Sequence, residues 1–210
     1  MIERLKKVLY TVDESSPDAE VVIQVADDGS VQSWAIASFR AACVIVRGEH
    51  ELVKAERAVP ASVLRNAKSL VEALARDKTS ALPLGDWRIK ALRSLDEAEK
   101  EAVAIAHVSD LKRIEELYTQ SLPVYDPYCE LAIGEENIEY TARFAKATIP
   151  AELTLPGRIC LNPRYFVEAS QNLVARDTVG VAIVRQNGVR ILMLASQHER
   201  HYIAEMRRKK

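Results

Sequence analysis

A long apolar run is what this chain most clearly lacks. None approaches the roughly 20 residues of a membrane-spanning helix, so no membrane partner is expected. The opening Met1-Ile-Glu-Arg-Leu-Lys-Lys lacks the apolar stretch and cleavage site of a secretory signal. Cysteine is sparse: Cys43, Cys129 and Cys160 are odd in number, widely spaced, and flanked by apolar or small residues. They read as reduced core residues of a cytoplasmic protein and not as a disulfide framework. An excess of positive charge is also missing, since 29 Lys and Arg against 30 Asp and Glu leave a net charge of -1. Proteins that grip duplex DNA tightly through its phosphates are usually basic overall. A conventional high-affinity DNA-binding domain is therefore disfavoured, whereas a protein held topologically needs only a locally basic surface.

Catalytic signatures are absent too. The chain has no G-x-S-x-G, no P-loop and no Rossmann fingerprint, and no spacing pairs a cysteine with a histidine. His198-Glu199-Arg200-His201 places two histidines three apart, but a catalytic zinc needs three protein ligands. That segment reads as a solvated turn. No enzymatic activity, no cofactor and no metal are expected. Trp34 and Trp87 fall in strand-like patterns and read as core or half-buried residues.

What is present is a repeat. The 210 residues, 48% hydrophobic, suffice for one large domain or two of about 100 residues. Leu5-Lys6-Lys7-Val8 has a counterpart in Leu111-Lys112-Arg113-Ile114. Pro60 followed by Leu70 matches Pro163 followed by Leu173. Trp87-Arg88-Ile89-Lys90-Ala91-Leu92 matches Val189-Arg190-Ile191-Leu192-Met193-Leu194, and Glu101–Val108 matches His201–Arg208. The four pairs keep their order, with offsets between 100 and 106 residues.

A coarse reading fills in the plan. Ile2, Leu5, Val8, Leu9 and Val12 share one helical face. Ala19–Ala26 and Val31–Ser38 read as strands about the turn Asp27-Asp28-Gly29-Ser30, and Ala41–Arg47 and Glu51–Ala58 as strands about Gly48-Glu49-His50. A helix follows over 60–78, with Pro60 near its first turn and Val63, Leu64, Ala67, Leu70, Val71 and Leu74 at helical spacing. Strands near 87–92 and 101–108 close the first half. The second half repeats this: a helix over 109–119, strands near 128–133 and 137–145 about Gly134–Asn137, and a short strand at Arg158–Leu161. Then comes a helix with Asn162 as N-cap and Pro163 at N1. The hairpin 180–185/189–194 turns at Gln186-Asn187-Gly188, and His201–Arg208 forms a last strand. No Gly/Ser-rich linker separates the halves, and the boundary falls near His107–Asp110. The fold class is α+β: two units, 1–108 and 109–210, each with two helices packed on antiparallel sheet.

Local sequence resembles one family, the bacterial DNA polymerase III beta subunit or sliding clamp. Leu161-Asn162-Pro163-Arg164-Tyr165-Phe166 resembles N-P-[KR]-Y-L-L at the second helix of its last domain. Tyr202-Ile203-Ala204-Glu205-Met206-Arg207-Arg208 resembles the terminal Y-V-x-M-P-M-R-L. Ala35-Ile36-Ala37-Ser38-Phe39-Arg40-Ala41 resembles A-T-D-G-H-R-L of the middle domain, and Val59-Pro60-Ala61-Ser62-Val63-Leu64 resembles I-P-A-K-x-L. The chain thus looks like the middle and last domains of such a clamp with the first missing. It departs at Ala37, Ser38, Phe39 and Ala41, which stand for Asp, Gly, His and Leu. Glu205 and Arg208 stand for the terminal Pro and Leu.

The resemblance implies two tandem DNA-clamp-fold domains whose helices face double-stranded DNA without reading its sequence. Arg4, Lys6 and Lys7 on the first helix, and Arg65, Lys68 and Arg76 on the second, would touch phosphates. So would Lys112 and Arg113 on the third, and Arg164 on the fourth. The alternative for each is an ordinary solvated helix face. The resemblance also implies a groove between the two domains for short peptides of a DNA polymerase or repair protein, carried by Arg40, Met206 and Arg207. Methionine suits such a groove because it repacks around different anchors. Alternatively, Met206 is a core residue and Arg207 begins a solvated tail. Known clamps close a ring from six such domains, so two per chain imply a homo-oligomer, a head-to-tail trimer. The expected function is a sliding-clamp-like processivity or tethering factor that encircles duplex. The alternative is a clamp-fold adaptor or decoy that binds partners without encircling DNA.

Overall fold

The computed structural model describes residues 1–12, 19–48, 55–75, 79–82, 86–121, 128–143, 145–174 and 177–206. Backbone contacts divide the chain into two compact units, Met1–Leu92 with His198–Arg200, and Arg93–Gln197 with His201–Lys210. The sequence repeat was expected to turn over at 108/109. The compact units part at Leu92/Arg93, so the strand before residue 108 counts with the second.

The first unit opens with a short helix α1 (Ile2–Leu5) that tightens into a 3-10 segment, Lys6–Thr11, where one regular helix over 2–12 was expected. The buried face is the expected one, with Leu5 and Val8 inaccessible to solvent. Four strands follow: β1 (Glu20–Val25), β2 (Ser30–Ala37), β3 (Arg40–Arg47) and β4 (Ala55–Pro60). Residues 49–54, which carry part of the expected turn and strand, lie outside the described residues. All pairings are antiparallel, in the order β3-β2-β1-β4, and a two-residue strand β5 (Ser80–Ala81) pairs beside β4. Val21, Ile23 and Val44 pack with Leu5, Val8, Leu64 and Leu70 in one core.

The helix expected over 60–78 is broken into α2 (Ala61–Asn66) and α3 (Leu70–Ala73). Apolar spacing ran through the break, but Ser69 restarts the helix. Its side chain accepts from the Glu72 N–H at 3.2 Å, and the Glu72 carboxylate takes the Lys68 N–H at 2.8 Å. Ser-x-x-Glu is a helix-start signature, and here it outweighs the periodicity.

The segment matched to a strand, Trp87–Leu92, is instead part of a helix, α4 (Trp87–Asp96). Apolar and polar residues alternate in Trp-Arg-Ile-Lys, but Arg, Lys, Ala and Leu are good helix formers. Asp86 starts the turn: its carboxylate accepts the Arg88 N–H at 2.9 Å and its carbonyl accepts from Lys90. Trp87 accordingly stands 67% exposed, while Trp34 in β2 is buried.

The second unit holds β6 (Glu99–His107), α5 (Val108–Ser121), β7 (Cys129–Ile133), β8 (Asn137–Ala142) and β9 (Ala145–Pro150). After a short β10 (Glu152–Leu155) come β11 (Gly157–Leu161), α6 (Pro163–Asn172), β12 (Thr178–Gln186), β13 (Val189–Ala195) and β14 (Glu199–Ala204). Omitting β10, this is strand–helix–three strands performed twice. The sheets exchange their opening strands: one runs β6-β12-β13-β14 with β10 beyond β6, and the other β11-β7-β8-β9. Gly157 marks a close approach, because a Cβ there would lie 2.6 Å from the Ala102 Cβ. Asn187 and Gly188 take φ of 49 and 78, the left-handed pair of a two-residue hairpin. Tyr140 and Phe166 stack at 6.2 Å between centroids in the core.

The first unit reproduces only part of that plan. Its helix, three strands, fourth strand and second helix match α5, β7–β9, β11 and α6. Beyond that point, where the second unit builds its other sheet from β12, β13 and β14, the first unit has, among the described residues, β5 and the first six residues of α4, which continues across Leu92/Arg93. The repeat therefore holds for two of the four sequence pairs: Trp87–Leu92 is helical where Val189–Leu194 is a strand, and Glu101–Val108 counts with the second unit, as does its counterpart.

Candidate nucleic-acid and partner interfaces

In the first unit α2 packs against the 3-10 segment, so the basic residues of both lie on neighbouring elements. Their surroundings differ. Lys6 pairs with Glu3 at 2.6 Å, and Lys7 reaches the buried Glu199 at 2.7 Å. Arg4 is half-buried, while Arg65 and Lys68 are exposed on α2 and at the break after it. Arg76 lies outside the described residues.

In the second unit α5 packs on α6, and Gln171 donates to Glu115 at 2.8 Å across them. Lys112 is half-buried, and Arg113 is exposed with Asp110 3.9 Å away. Arg164 is exposed but holds Glu168 one turn on at 2.7 Å; that hydrogen bond, then the carboxylate charge, raises its pKa. The Asn162 carboxamide oxygen caps α6 by accepting from the Arg164 N–H at 3.0 Å. Exposed cations on short helices can meet phosphates, and those already paired do so less readily.

For the partner residues, Arg40 opens β3, where its Nε donates to the Thr11 carbonyl at 3.1 Å and its guanidinium lies over the Tyr10 ring at 5.5 Å. Phe39 beside it is exposed, and Ala41 is buried. Met206 is half-buried in the second unit, and its N–H donates to the Cys160 carbonyl at 2.8 Å. The preceding Glu205 N–H donates to the Arg190 carbonyl at 2.8 Å, and its carboxylate takes Arg190 at 2.9 Å. A proline at 205 could not make the first of these bonds. Arg207 and Arg208 lie outside the described residues, and the last strand, expected over 201–208, runs from Glu199 to Ala204.

The segment His198–His201 is not a solvated turn. Glu199 and His201 are both fully buried in β14. Among the described residues no group of three His, Cys, Asp or Glu could hold a metal. Cys43 and Cys129 are buried, Cys160 is half-buried, and none of the three forms a disulfide.

Two charge clusters escaped the sequence reading. Arg88 bridges Asp86 at 2.9 Å and Glu20 at 2.8 Å; the Arg88 hydrogen bond holds the Asp86 carboxyl below its ordinary range. Glu101 accepts from Arg190 at 2.8 Å and from Arg185, and these bonds lower its pKa. Asp86-x-Arg88 is a visible local signal. Nothing in the sequence joins Glu101 to Arg190.

Neither the protein-family models nor the curated proteins contain a match to this chain. Solved structures do match. A protein assigned as a DNA polymerase III beta subunit, from Eubacterium rectale, aligns over 99% of this chain and 63% of its own, with TM-score 0.75 and 10% identity. The DNA polymerase III beta subunit of Pseudomonas aeruginosa aligns over 98% and 64%, with TM-score 0.69 and 11% identity. The sliding clamp of Bacillus subtilis aligns over 99% and 62%, with TM-score 0.68 and 13% identity. The chain spans about 63% of the length of the first of these proteins, and at such identities the likeness is one of fold. This chain has the fold of bacterial sliding clamps along nearly its whole length, as its local sequence motifs implied.

Proposed function

We propose that this protein is a clamp-fold adaptor, which binds partner proteins of DNA replication or repair and touches duplex DNA without encircling it. The observation that carries this reading is α4. A ring of equivalent repeats needs every repeat to offer the surfaces through which its neighbours join. Among the described residues the second unit has two sheets, whereas the first has one, followed by α4, which crosses the boundary at Leu92/Arg93, where the other would begin. A head-to-tail trimer built from such chains would lack a sheet at every first unit. The charge supports the same view: the net charge is -1, and Lys6, Lys7 and Arg164 are engaged by carboxylates. DNA contact is assigned to the exposed Arg65, Lys68 and Arg113, enough for weak, salt-sensitive association.

Partner contact is assigned to Arg40 in the first unit and to Met206 and Arg207 in the second. Titration of a labelled clamp-binding peptide with the full chain tests this. Saturable binding in the absence of DNA is expected. No binding up to millimolar peptide overturns the adaptor reading.

A further inference from the structure

After β14, Glu205 and Met206 lie in neither helix nor strand, yet both are fixed by their backbones. The Glu205 N–H donates to the Arg190 carbonyl on β13 at 2.8 Å, and the Met206 N–H donates to the Cys160 carbonyl on β11 at 2.8 Å. β13 and β11 belong to different sheets, so two successive residues tie one sheet to the other within the second unit. Arg190 supplies the side-chain part of this closure. Its Nη1 donates to Glu205 at 2.9 Å, its Nη2 to the Arg158 carbonyl at 2.7 Å and its Nε to Glu101 at 2.8 Å. Arg158 and Cys160 stand two apart on β11, and alternate carbonyls of an antiparallel strand share one edge. The edge of β11 away from β7 is thus covered by the Arg190 guanidinium and the Met206 backbone.

We infer that Arg190 is a positioning residue for partner recognition: with Glu205 it fixes the segment after β14, so that Met206 is presented in one arrangement. This rests on the assignment of Met206 to partner contact. The arrangement begins at the Asn187-Gly188 turn, which sets Arg190 directly opposite Arg185 on β12. Two cations facing each other across strands repel, and Glu101 on β6 offsets this by accepting from both. Held from that side, Arg190 keeps Nη1 for Glu205 and Nη2 for β11. A planar guanidinium serves three acceptors in a fixed fork, which a lysine ammonium on its pliable stem does not reproduce.

The reason for such a fastening is energetic. A short segment outside helix and strand opens easily unless it is bonded, and ordering it on binding subtracts from affinity. The bonds to Arg190 and Cys160 meet that cost during folding. Proline would restrain residue 205 covalently through its ring; Glu205 obtains the restraint from Arg190 instead. The Met206 side chain stays half-buried, and methionine repacks around different anchors. A fixed backbone beneath a pliable side chain accepts varied apolar partners without ordering the segment anew.

The test joins titration of a labelled clamp-binding peptide to amide hydrogen exchange, both on the full chain. Glu205→Ala and Arg190→Gln should each weaken the peptide about fivefold and speed exchange of the Met206 amide about tenfold. Glu205→Gln keeps an acceptor for Nη1 and should bind within about twofold of the unaltered chain. Both changes act through one link, so Arg190→Gln with Glu205→Ala should bind within about twofold of the weaker single variant. A residue that only supports the fold would lower the unfolding midpoint and leave the affinity of the folded chain unchanged. Faster Met206 exchange with unaltered affinity overturns the proposal, as do losses that multiply in the double variant. An unaltered chain that binds no peptide removes the adaptor reading and this proposal with it. Equal binding by the unaltered chain and Glu205→Ala removes the positioning role alone.

Discussion

The Lys7 ammonium lies 2.7 Å from a carboxylate oxygen of Glu199, a residue with no solvent exposure, 192 positions away in the chain. Removing one partner of such a pair takes an opposite charge from the other. The cost is about 3–5 kcal/mol for a fully buried pair, and the 29% exposure of Lys7 places it just below that range. Lys7→Met should lower stability by about 2–3 kcal/mol in urea unfolding, and Lys7→Met with Glu199→Gln should recover most of it. A Lys7→Met loss under about 0.5 kcal/mol would show that the pair is ornamental.

Arg65 and Lys68 carry the expected DNA contact in the first unit, whereas Lys7 is held by Glu199. Neutralising Arg65 and Lys68 together should reduce the slope of log affinity against log salt by roughly 1.5–2 on duplex DNA. Lys7→Met should change it by less than about 0.5. Anisotropy titrations at several salt concentrations read both. Equal effects of the two changes would remove the distinction drawn between these exposed cations and the part-buried Lys7 held by Glu199.

Arg40 and Met206 are assigned to partner recognition, each within its own unit. Arg40→Ala and Met206→Ala should each weaken a clamp-binding peptide roughly tenfold, about 1.4 kcal/mol. Because Arg40 also holds the Thr11 carbonyl, the melting temperature must be read beside the affinity. An affinity that stays constant while stability falls makes Arg40 a structural residue only.

Glu101 supplies a pH dependence. Hydrogen bonds from Arg190 and then Arg185 hold its folded pKa below the ordinary glutamate range. The unfolded chain therefore takes up this proton first as pH falls. The stabilisation is complete above the unfolded pKa of about 4.3, and it is lost as pH drops through the folded value. Glu101→Gln should lower stability at neutral pH and flatten the acid limb of the stability curve. An acid limb that the substitution leaves unchanged would contradict this.

Local chemistry made much of this fold legible. Asn162-Pro163 starts α6, and Gln186-Asn187-Gly188 turns a hairpin, because capping and left-handed backbone are decided by a few adjacent residues. The buried face of the opening helical segment, with Ile2, Leu5 and Val8, followed from its periodicity. Failure came where two local signals competed: Ser69 and Glu72 broke one apolar helical pattern, and Asp86 turned an alternating pattern into α4. The candidate site was less legible. Which lysines are open to phosphate depends on carboxylates brought close by folding, and Glu199 for Lys7 lies at the other end of the chain. Glu205 shows the converse, since its departure from the family's proline reads as a loss until Arg190 is placed beside it.

The consequence of α4 for the ring tests the account most directly. The full chain, loaded onto closed circular duplex and the same DNA linearised, should dissociate from both at equal rates in moderate salt. Retention on the circle alone, released by linearisation, would mean a closed ring around DNA and would contradict the adaptor reading.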